Sequence, residues 1–380
     1  MGIEDLRKDI DSSDKKIVEA FEKRMETAKK IAEYKKENGL PVLDLKREKA
    51  KLNEIASLTK DELKDYIREL YSLMFDLSKS YQNKTLKETS ELSLRIKKAV
   101  EDTEKLFPET AMVACQGVEG ANSETACDRI FKNANIMFFN SFEAVFTAVE
   151  KGLCKYGVIP VENSTAGSVN SVYDLMMSHN FYVVKSIRLK IDHNLLVKPG
   201  VKLSEIKEIY SHEQAINQCS RFLQTLQGVK VIACENTAAA AKMVSESDRR
   251  DIAAIASIDC TKYYGLAAIE KNIQNSDNNY TRFICISKQL EIYPGAEKTS
   301  LMMTLPHKPG ALYNVLSRFY TLGINLLKLE SRPIPGRDFE FMFYFDLDIP
   351  VYSEKFIELI NDLPDICDSF TYLGTYSEVI

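Results

Sequence analysis

No run of about 18 apolar residues occurs in this 380-residue chain, so no membrane-spanning helix is expected. The eight cysteines include no Cys-x-x-Cys pair and have no histidine cluster beside them, which argues against zinc and disulfide frameworks. There is no basic surplus. The net charge of -5 disfavours a general nucleic-acid binder, although local arginines can still hold small anions. No basic-then-apolar leader opens the chain; Met1-Gly2-Ile3-Glu4-Asp5 runs straight into helical periodicity. A reducing cytoplasm is therefore the expected setting, with most cysteines acting as small core residues. Low-complexity sequence is also lacking. What remains is ordinary globular composition, 45% hydrophobic and 28% charged, long enough for two to three domains.

Glycine and proline are scarce at the start: Gly2, Gly39 and Pro41 are the only ones in the first 105 residues. That stretch should be almost entirely helix. Asn38-Gly39-Leu40-Pro41 ends a first helix, Asp44 caps a second, and Thr59 or Asp61 opens a third that runs toward a charged linker. The first helix would be roughly 50 Å long, too long to pack on itself, so a partner chain is expected to cover it. From Ala111 short apolar runs alternate with helical stretches, an α/β pattern, with strands expected at Met112–Cys115, Ile136–Phe139, Tyr156–Val161, Tyr182–Leu189 and Asn194–Val197, and again near Tyr210, Val231 and Ala254. After Ile292-Tyr293-Pro294-Gly295-Ala296, a short linker, the order is strand, helix, strand, strand, helix, strand.

Charges sit in odd places on the helices. Ile3, Ile10, Ile17 and Ile31 recur every seven residues, and Arg24 falls on the same register. A charge on an apolar stripe is costly unless something pairs with it, whereas a lysine or arginine on a long helix is more often simply solvated. Lys35 lies about 16 Å further along the same side, and Arg7 about 25 Å below on another side. Asp44, Arg47 and Glu48 share one face of the second helix, as Ser78 and Gln82 do on the third.

Four polar clusters flank strands in the α/β region, where such sheets place ligands: Gln116 to Ser123, Glu162 to Val169, Ser211 to Ala215, and Asn279 to Phe283. The first follows a strand and opens a helix, where backbone amides meet anions. Their spread suggests two lobes with a site between them, the second lobe running roughly from His193 to Tyr263.

Thr281-Arg282-Phe283, with Glu162-Asn163-Ser164, Gly167, Val169 and Ser211-His212-x-Gln214-Ala215, resembles the prephenate dehydratases. Gly310-Ala311-Leu312 with Glu330-Ser331-Arg332-Pro333 resembles a phenylalanine-sensing ACT domain. Leu6-Arg7, Lys23-Arg24, Lys35, Pro41-Val42-x-Asp44-x-x-Arg47-Glu48 and Ser78 with Gln82 resemble the all-helical chorismate mutases. Two positions depart from the pattern. The first loop reads Gly117-Val118-Glu119-Gly120-Ala121 where the family often has Gly-Pro-x-Gly-Thr, and Glu213 stands where proline is common.

The resemblance implies a multi-domain fold. Residues 1–90 would form a three-helix, all-α mutase domain in an intertwined dimer, with a helical linker to about 108. Residues 109–290 would form a two-lobed α/β dehydratase domain similar to type II periplasmic binding proteins, and 298–380 an α+β, ferredoxin-like ACT domain. It also implies roles. Arg24, with Arg7 of a second chain, would bind the chorismate carboxylates; Arg47 would steady them and Ser78 would touch one. Lys35 and Gln82 would donate to the ether oxygen, while Glu48 and Asp44 hold the ring hydroxyl. Thr281 would donate to the hydroxyl leaving prephenate, with Asn163, Ser164 and Ser211 as binding residues. Arg282 has two readings, a ligand for a substrate carboxylate or a brace for its loop. His212 likewise reads as an acid or as a structural residue. Phenylalanine would bind near Gly310, Ala311, Leu312, Glu330 and Ser331. Neither reaction calls for a cofactor or a metal, and the partners implied are chorismate, prephenate, phenylalanine and a second copy of the chain. Two other readings stand beside this one: an arogenate dehydratase, and an amino-acid sensor without catalysis.

Overall fold

The computed structural model describes residues 2–38, 45–86 and 90–379. Asp44, with Pro41 and Val42, lies outside the described residues. The chain divides into two compact units, residues 1–94 with 357–365, and residues 95–356 with 366–380.

The first unit is helical, as the lack of glycine and proline predicts. It contains α1 (Ile3–Glu37), α2 (Leu45–Ser57) and α3 (Lys64–Leu86), the last entered by a single 3-10 turn, Asp61–Leu63. Glu4 and Asp5 lie in the first turn of α1 and Lys35 and Lys36 in its last, each favourable to the helix dipole. α3 packs against both α1 and α2. The buried positions of α1 are the small Ala28 and Ala32. The isoleucine register is different: Ile3, Ile10 and Ile17 are each at least 60% exposed. Nothing among the described residues covers that seam. The unit boundary falls within α4 (Glu91–Asp102).

The second unit holds two sheets. Its first segment runs β1 (Thr110–Gln116), α5 (Asn122–Ile130), β2 (Asn133–Phe139), α6 (Phe142–Glu150), β3 (Tyr156–Asn163), β4 (Gly167–Ser168), α7 (Asn170–Met176) and β5 (Tyr182–Lys190). A smaller lobe follows: β6 (Asn194–Val197), β7 (Glu208–His212), α8 (Glu213–Gln218), α9 (Ser220–Gln224), β8 (Lys230–Cys234), α10 (Thr237–Glu246), β9 (Ile252–Ala256), α11 (Cys260–Tyr264) and β10 (Ala267–Glu270). The chain then returns to the first sheet as β11 (Tyr280–Ser287). The two-lobed reading is thus the observed arrangement. Strand β10 went unforeseen because Ala267 to Glu270 is short and only half-buried, with neither an apolar run nor clean alternation to mark it.

The last segment is β12 (Lys298–Thr304), α12 (Ala311–Leu322), β13 (Asn325–Pro333), β14 (Phe341–Asp348), α13 (Glu354–Ile366) and β15 (Ser369–Val379). Its strands lie side by side in the order β13-β14-β12-β15, the ferredoxin-like topology. They continue the first sheet instead of standing apart, because β15 pairs antiparallel with β12 and, through Ser377 to Val379, parallel with β5. The full path is β13-β14-β12-β15-β5-β11-β3-β1-β2. The central strand β11 is buried on both faces from Phe283 to Ser287, which is why it reads as an unbroken apolar run. Phe283, Ile284 and Ile286 each contribute roughly 1.5–3 kcal/mol of burial.

Candidate active sites

On the helical unit the geometry gathers part of the predicted set. Arg24 is half-buried, its guanidinium 5.3 Å from the centre of the Phe75 ring, and Nη1 donates to Ser78 Oγ. Ser78 is buried and spends its own proton on the Met74 carbonyl at 2.7 Å, so it meets Arg24 with its lone pairs. Ser78 therefore aims Arg24 rather than presenting a proton to a ligand. Gln82, one turn further along α3, is buried as well. Glu48 on α2 lies 3.6 Å from Lys79 of α3, a cation that sequence reasoning passed over although it sits between Ser78 and Gln82. Lys35 is half-buried and Arg47 exposed. Arg7 is not brought to this cluster. It is exposed and pairs with Glu4 one turn away at 2.6 Å.

In the larger unit a hydrogen-bonded chain runs across the strand ends. Asn163, at the end of β3, stands opposite Thr281 of β11 in register. Its Nδ2 donates to Thr281 Oγ1 at 3.0 Å and to Asn279 Oδ1 at 2.8 Å. Its Oδ1 accepts from Thr165 Oγ1 at 2.7 Å and from the amides of Thr165 and Ala166, both at 3.0 Å. Gln218 of α8 reaches over from the small lobe to donate to Thr165 Oγ1 at 2.6 Å, and its Oε1 accepts from Asn279 Nδ2 at 3.2 Å and from His193 Nε2 at 2.8 Å. Burial pushes the His193 imidazole below its ordinary 6.5, the bond to Gln218 opposing this, so the ring is a neutral donor. Gln218 was missed. The signal available was its place four residues after Gln214, on the same helical face.

An interlobe cavity of about 530 Å³ opens beside this chain, lined among others by Thr165, His212, Glu213, Gln214, Gln218 and Asn279. Among the described residues, Glu213 is the single carboxylate on that lining, and no lysine or arginine lines it. His212 Nδ1 accepts from the Gln214 amide at 3.3 Å and caps α8, which favours its structural reading. Ser164 also ties the chain to itself: Oγ donates to the Asn278 carbonyl at 2.8 Å and accepts from the Tyr280 amide at 2.9 Å.

Three expectations need revision. Ser211 is completely buried, with its hydroxyl given to the Ile255 carbonyl at 2.7 Å, so it braces β7 on β9 instead of facing the cavity. Arg282 is 5% exposed, pairs with Asp346 of β14 and lies 3.3 Å from Glu162, contacts that favour the brace among its two readings. In the first loop the Gly120 amide, one of those expected to meet an anion, is taken by Glu124 Oε2 at 2.5 Å. Burial raises that carboxyl above its ordinary 4.5.

In the last segment Gly310 adopts φ 82 at the head of α12, a conformation that favours glycine, with open space where a side chain would go. Ala311 is buried and Leu312 half-buried. Glu330 and Ser331 do not share a face. Glu330 accepts from Ser168 Oγ at 2.5 Å, while Ser331 is exposed on the other side of β13. The next residue, Arg332, forks onto Asp174 of α7 at 2.7 and 2.8 Å.

Residues 6–83 match the family model of chorismate mutase type II, and residues 113–291 that of prephenate dehydratase. The chain is 31% identical over 381 residues to the bifunctional chorismate mutase/prephenate dehydratase of Escherichia coli (strain K12), spanning 98% of this chain and 95% of that one. It is 36% identical over 281 residues to arogenate dehydratase/prephenate dehydratase 1, chloroplastic, of Arabidopsis thaliana, spanning 70% of this chain and 71% of that one. Among solved structures, prephenate dehydratase from Arthrobacter aurescens in complex with L-Phe has a TM-score of 0.65 at 28% identity, covering 70% of this chain and 89% of that one.

Proposed function

The chain belongs to the family of bifunctional chorismate mutase/prephenate dehydratases, and from that premise we infer how its residues divide the two reactions. It rearranges chorismate to prephenate and converts prephenate to phenylpyruvate with loss of carbon dioxide and water, in phenylalanine biosynthesis under feedback control.

The first reaction is pericyclic and needs no nucleophile. A catalyst can hold the reactive conformer and stabilise charge growing on the ether oxygen. Arg24 takes a substrate carboxylate through its fork, steadied by Ser78 and the Phe75 ring. Lys35 and Gln82 serve the ether oxygen, Glu48 and Asp44 the hydroxyl, and Arg47 the carboxylates. Arg7 completes the site from a second copy. The exposed isoleucine seam of α1 supports such a dimer, since an apolar stripe of that length left in water is unfavourable. The half-buried Arg24, already oriented by α3, is the observation that carries this reading. Chorismate turnover by Arg24→Ala tests it; turnover within about threefold of the parent would refute the assignment.

In the second reaction Thr281 donates to the departing ring hydroxyl while the ring carboxylate leaves as carbon dioxide and its bonding electrons complete the aromatic ring. The bond from Asn163 Nδ2 into Thr281 Oγ1 carries this reading. It occupies an oxygen lone pair, leaves the hydroxyl proton free and makes it more acidic. Thr281→Ala should abolish phenylpyruvate formation while the mutase survives. The dehydratase domain is read as 109–290, with Asn163 and Ser164 shaping the cleft.

We read residues 298–380 as an ACT domain that binds phenylalanine near Gly310, Ala311, Leu312 and Ser331, with Glu330 on the side facing the dehydratase. The ferredoxin-like strand order and the L-Phe held by the Arthrobacter aurescens relative support this. A calorimetric titration showing no phenylalanine binding at millimolar concentration would defeat it. Both activities are placed in the cytoplasm, a setting that suits eight free cysteines.

A second reading concerns the substrate. Glu213 is exposed in the interlobe cavity, and an ammonium group, which arogenate has and prephenate lacks, would suit it. Comparing kcat/KM for prephenate and arogenate decides between them.

A further inference from the structure

Two oppositely charged cross-strand pairs face each other in the larger unit. On the dehydratase side Arg282 of β11 stands opposite Glu162 of β3. On the C-terminal side Lys328 of β13 stands opposite Asp346 of β14. Each cation reaches across to the other pair's anion. Arg282 Nη2 donates to Asp346 Oδ2, and Lys328 Nζ donates to Glu162 Oε2 at 2.6 Å. With Arg282 also 3.3 Å from Glu162, the result is a box of four charges, two from each segment, in which three sides are ion pairs and the fourth is the Lys328–Asp346 strand register.

The box is well held. Asp346 is completely buried, and its Oδ1 accepts from Ser300 Oγ at 2.5 Å and Tyr376 Oη at 3.4 Å. Lys328 also donates to Ser168 Oγ at 3.0 Å, and Ser168 in turn donates to Glu330. Opening one contact leaves a buried charge without its counter-ion, so intermediate positions are disfavoured and the contact is made or broken as a unit. Both strands that carry the cations also slip register beside them. β11 shifts against β3 between Arg282 and Phe283, and β13 against β14 between Leu326 and Lys328. Such irregularities re-aim side chains without unpairing a whole strand.

What makes the box more than a brace is its place in the chain. Glu162 precedes Asn163, and Arg282 follows Thr281. Asn163 and Thr281 are themselves register partners joined by a hydrogen bond. Alternation along the strands puts the box on one face and the Asn163–Thr281 bond on the other. Any displacement of β13 and β14 that pulls on the box moves both dehydratase groups.

We propose that this four-charge box couples the C-terminal segment to the dehydratase site, with Arg282 and Glu162 as positioning residues that convert a shift of β13 and β14 into misalignment of Thr281 and Asn163. The proposal rests on Thr281 as the dehydratase group and on phenylalanine as the effector. Phenylalanine must then bind more tightly to one arrangement of the box than to the other.

The test is Asp346→Asn in the full chain, which keeps the shape and removes the charge. Phenylpyruvate formation is measured without and with saturating phenylalanine, and phenylalanine binding by calorimetry. The expected result is binding within about threefold of the parent, with the ratio of uninhibited to inhibited turnover collapsing to below twofold. Retained binding with lost inhibition is a signature that mere loosening of the fold would not give. A folded Asp346→Asn chain that remains inhibited like the parent overturns the coupling. Should circular dichroism show that this variant does not fold, Lys328→Gln, at the more accessible corner, is judged by the same ratio. Thr281→Ala runs alongside. Surviving dehydratase activity there, or a parent that phenylalanine does not inhibit, would sink the underlying reading and the coupling with it; failure in the Asp346 variant alone sinks only the coupling.

Discussion

Asn163 Nδ2 donates to Thr281 Oγ1 across adjacent strands at 3.0 Å, while the same amide's oxygen accepts from Thr165 and Ala166. The amide is thus fixed in one orientation, and Thr281 is met by a donor. Asn163→Asp should reverse that polarity by placing an acceptor against the threonine. Dehydratase kcat is expected to fall by about 10² to 10³, the range for losing one preorganised donor, with chorismate mutase activity unchanged. Separate assays of the two reactions check this.

On the mutase side, Arg24→Ala should cost several kcal/mol in kcat/KM for chorismate. Ser78→Ala, which removes only the group aiming Arg24, should cost about 1 kcal/mol, near fivefold. If the two losses were equal, Ser78 would be a substrate ligand after all.

The solvent-facing seam of α1 predicts a variant that separates the activities. Ile17→Asp should weaken the dimer and lower mutase turnover, because Arg7 of one copy no longer reaches Arg24 of another. Dehydratase activity should persist. Sedimentation velocity alongside both assays gives the answer; an unchanged oligomer would remove the case for an intertwined dimer.

His193 gives a pH dependence with a definite sign. Its folded-state pKa lies below the ordinary 6.5, so below that pH the unfolded chain takes up a proton that the folded chain refuses. The stability it contributes is complete above about pH 6.5 and is lost as pH falls toward the folded value. His193→Gln should flatten the decline of Tm between pH 7 and 5.

Gly374 has φ 138, and a Cβ there would stand 2.3 Å from the Val183 carbonyl oxygen of β5. Gly374→Ala should destabilise the larger unit by about 3 kcal/mol or more, through forced separation of β15 from β5 and backbone strain together. Chemical denaturation followed by tyrosine fluorescence checks the value.

Much of the fold was legible because local rules and burial agreed. The helical start follows from three glycines and prolines in a hundred residues, and β11 from its apolar run. The dehydratase cluster was legible only as separate stretches. That Asn163, Thr281 and Gln218 form one chain depends on register and on how the small lobe meets the large one, which no local pattern encodes. Arg282 was undecidable for the same reason: its partner, Asp346, is 64 residues away. The isoleucine register of α1 misleads about the core of a single chain, since Ile3, Ile10 and Ile17 stay exposed while Ala28 and Ala32 are the buried positions.

Strand β15 fills the gap between β12 and β5, and it is the last of the described strands in chain order. During synthesis, every earlier strand emerges first. Until Ser369 to Val379 arrive, the growing polypeptide carries two raw strand edges, one on each side of the missing place. Such edges invite pairing with neighbouring chains. A chain in which β15 is not yet in place is therefore more prone to aggregate than one stopped after the helical unit, which carries no strand edge at all among its described residues.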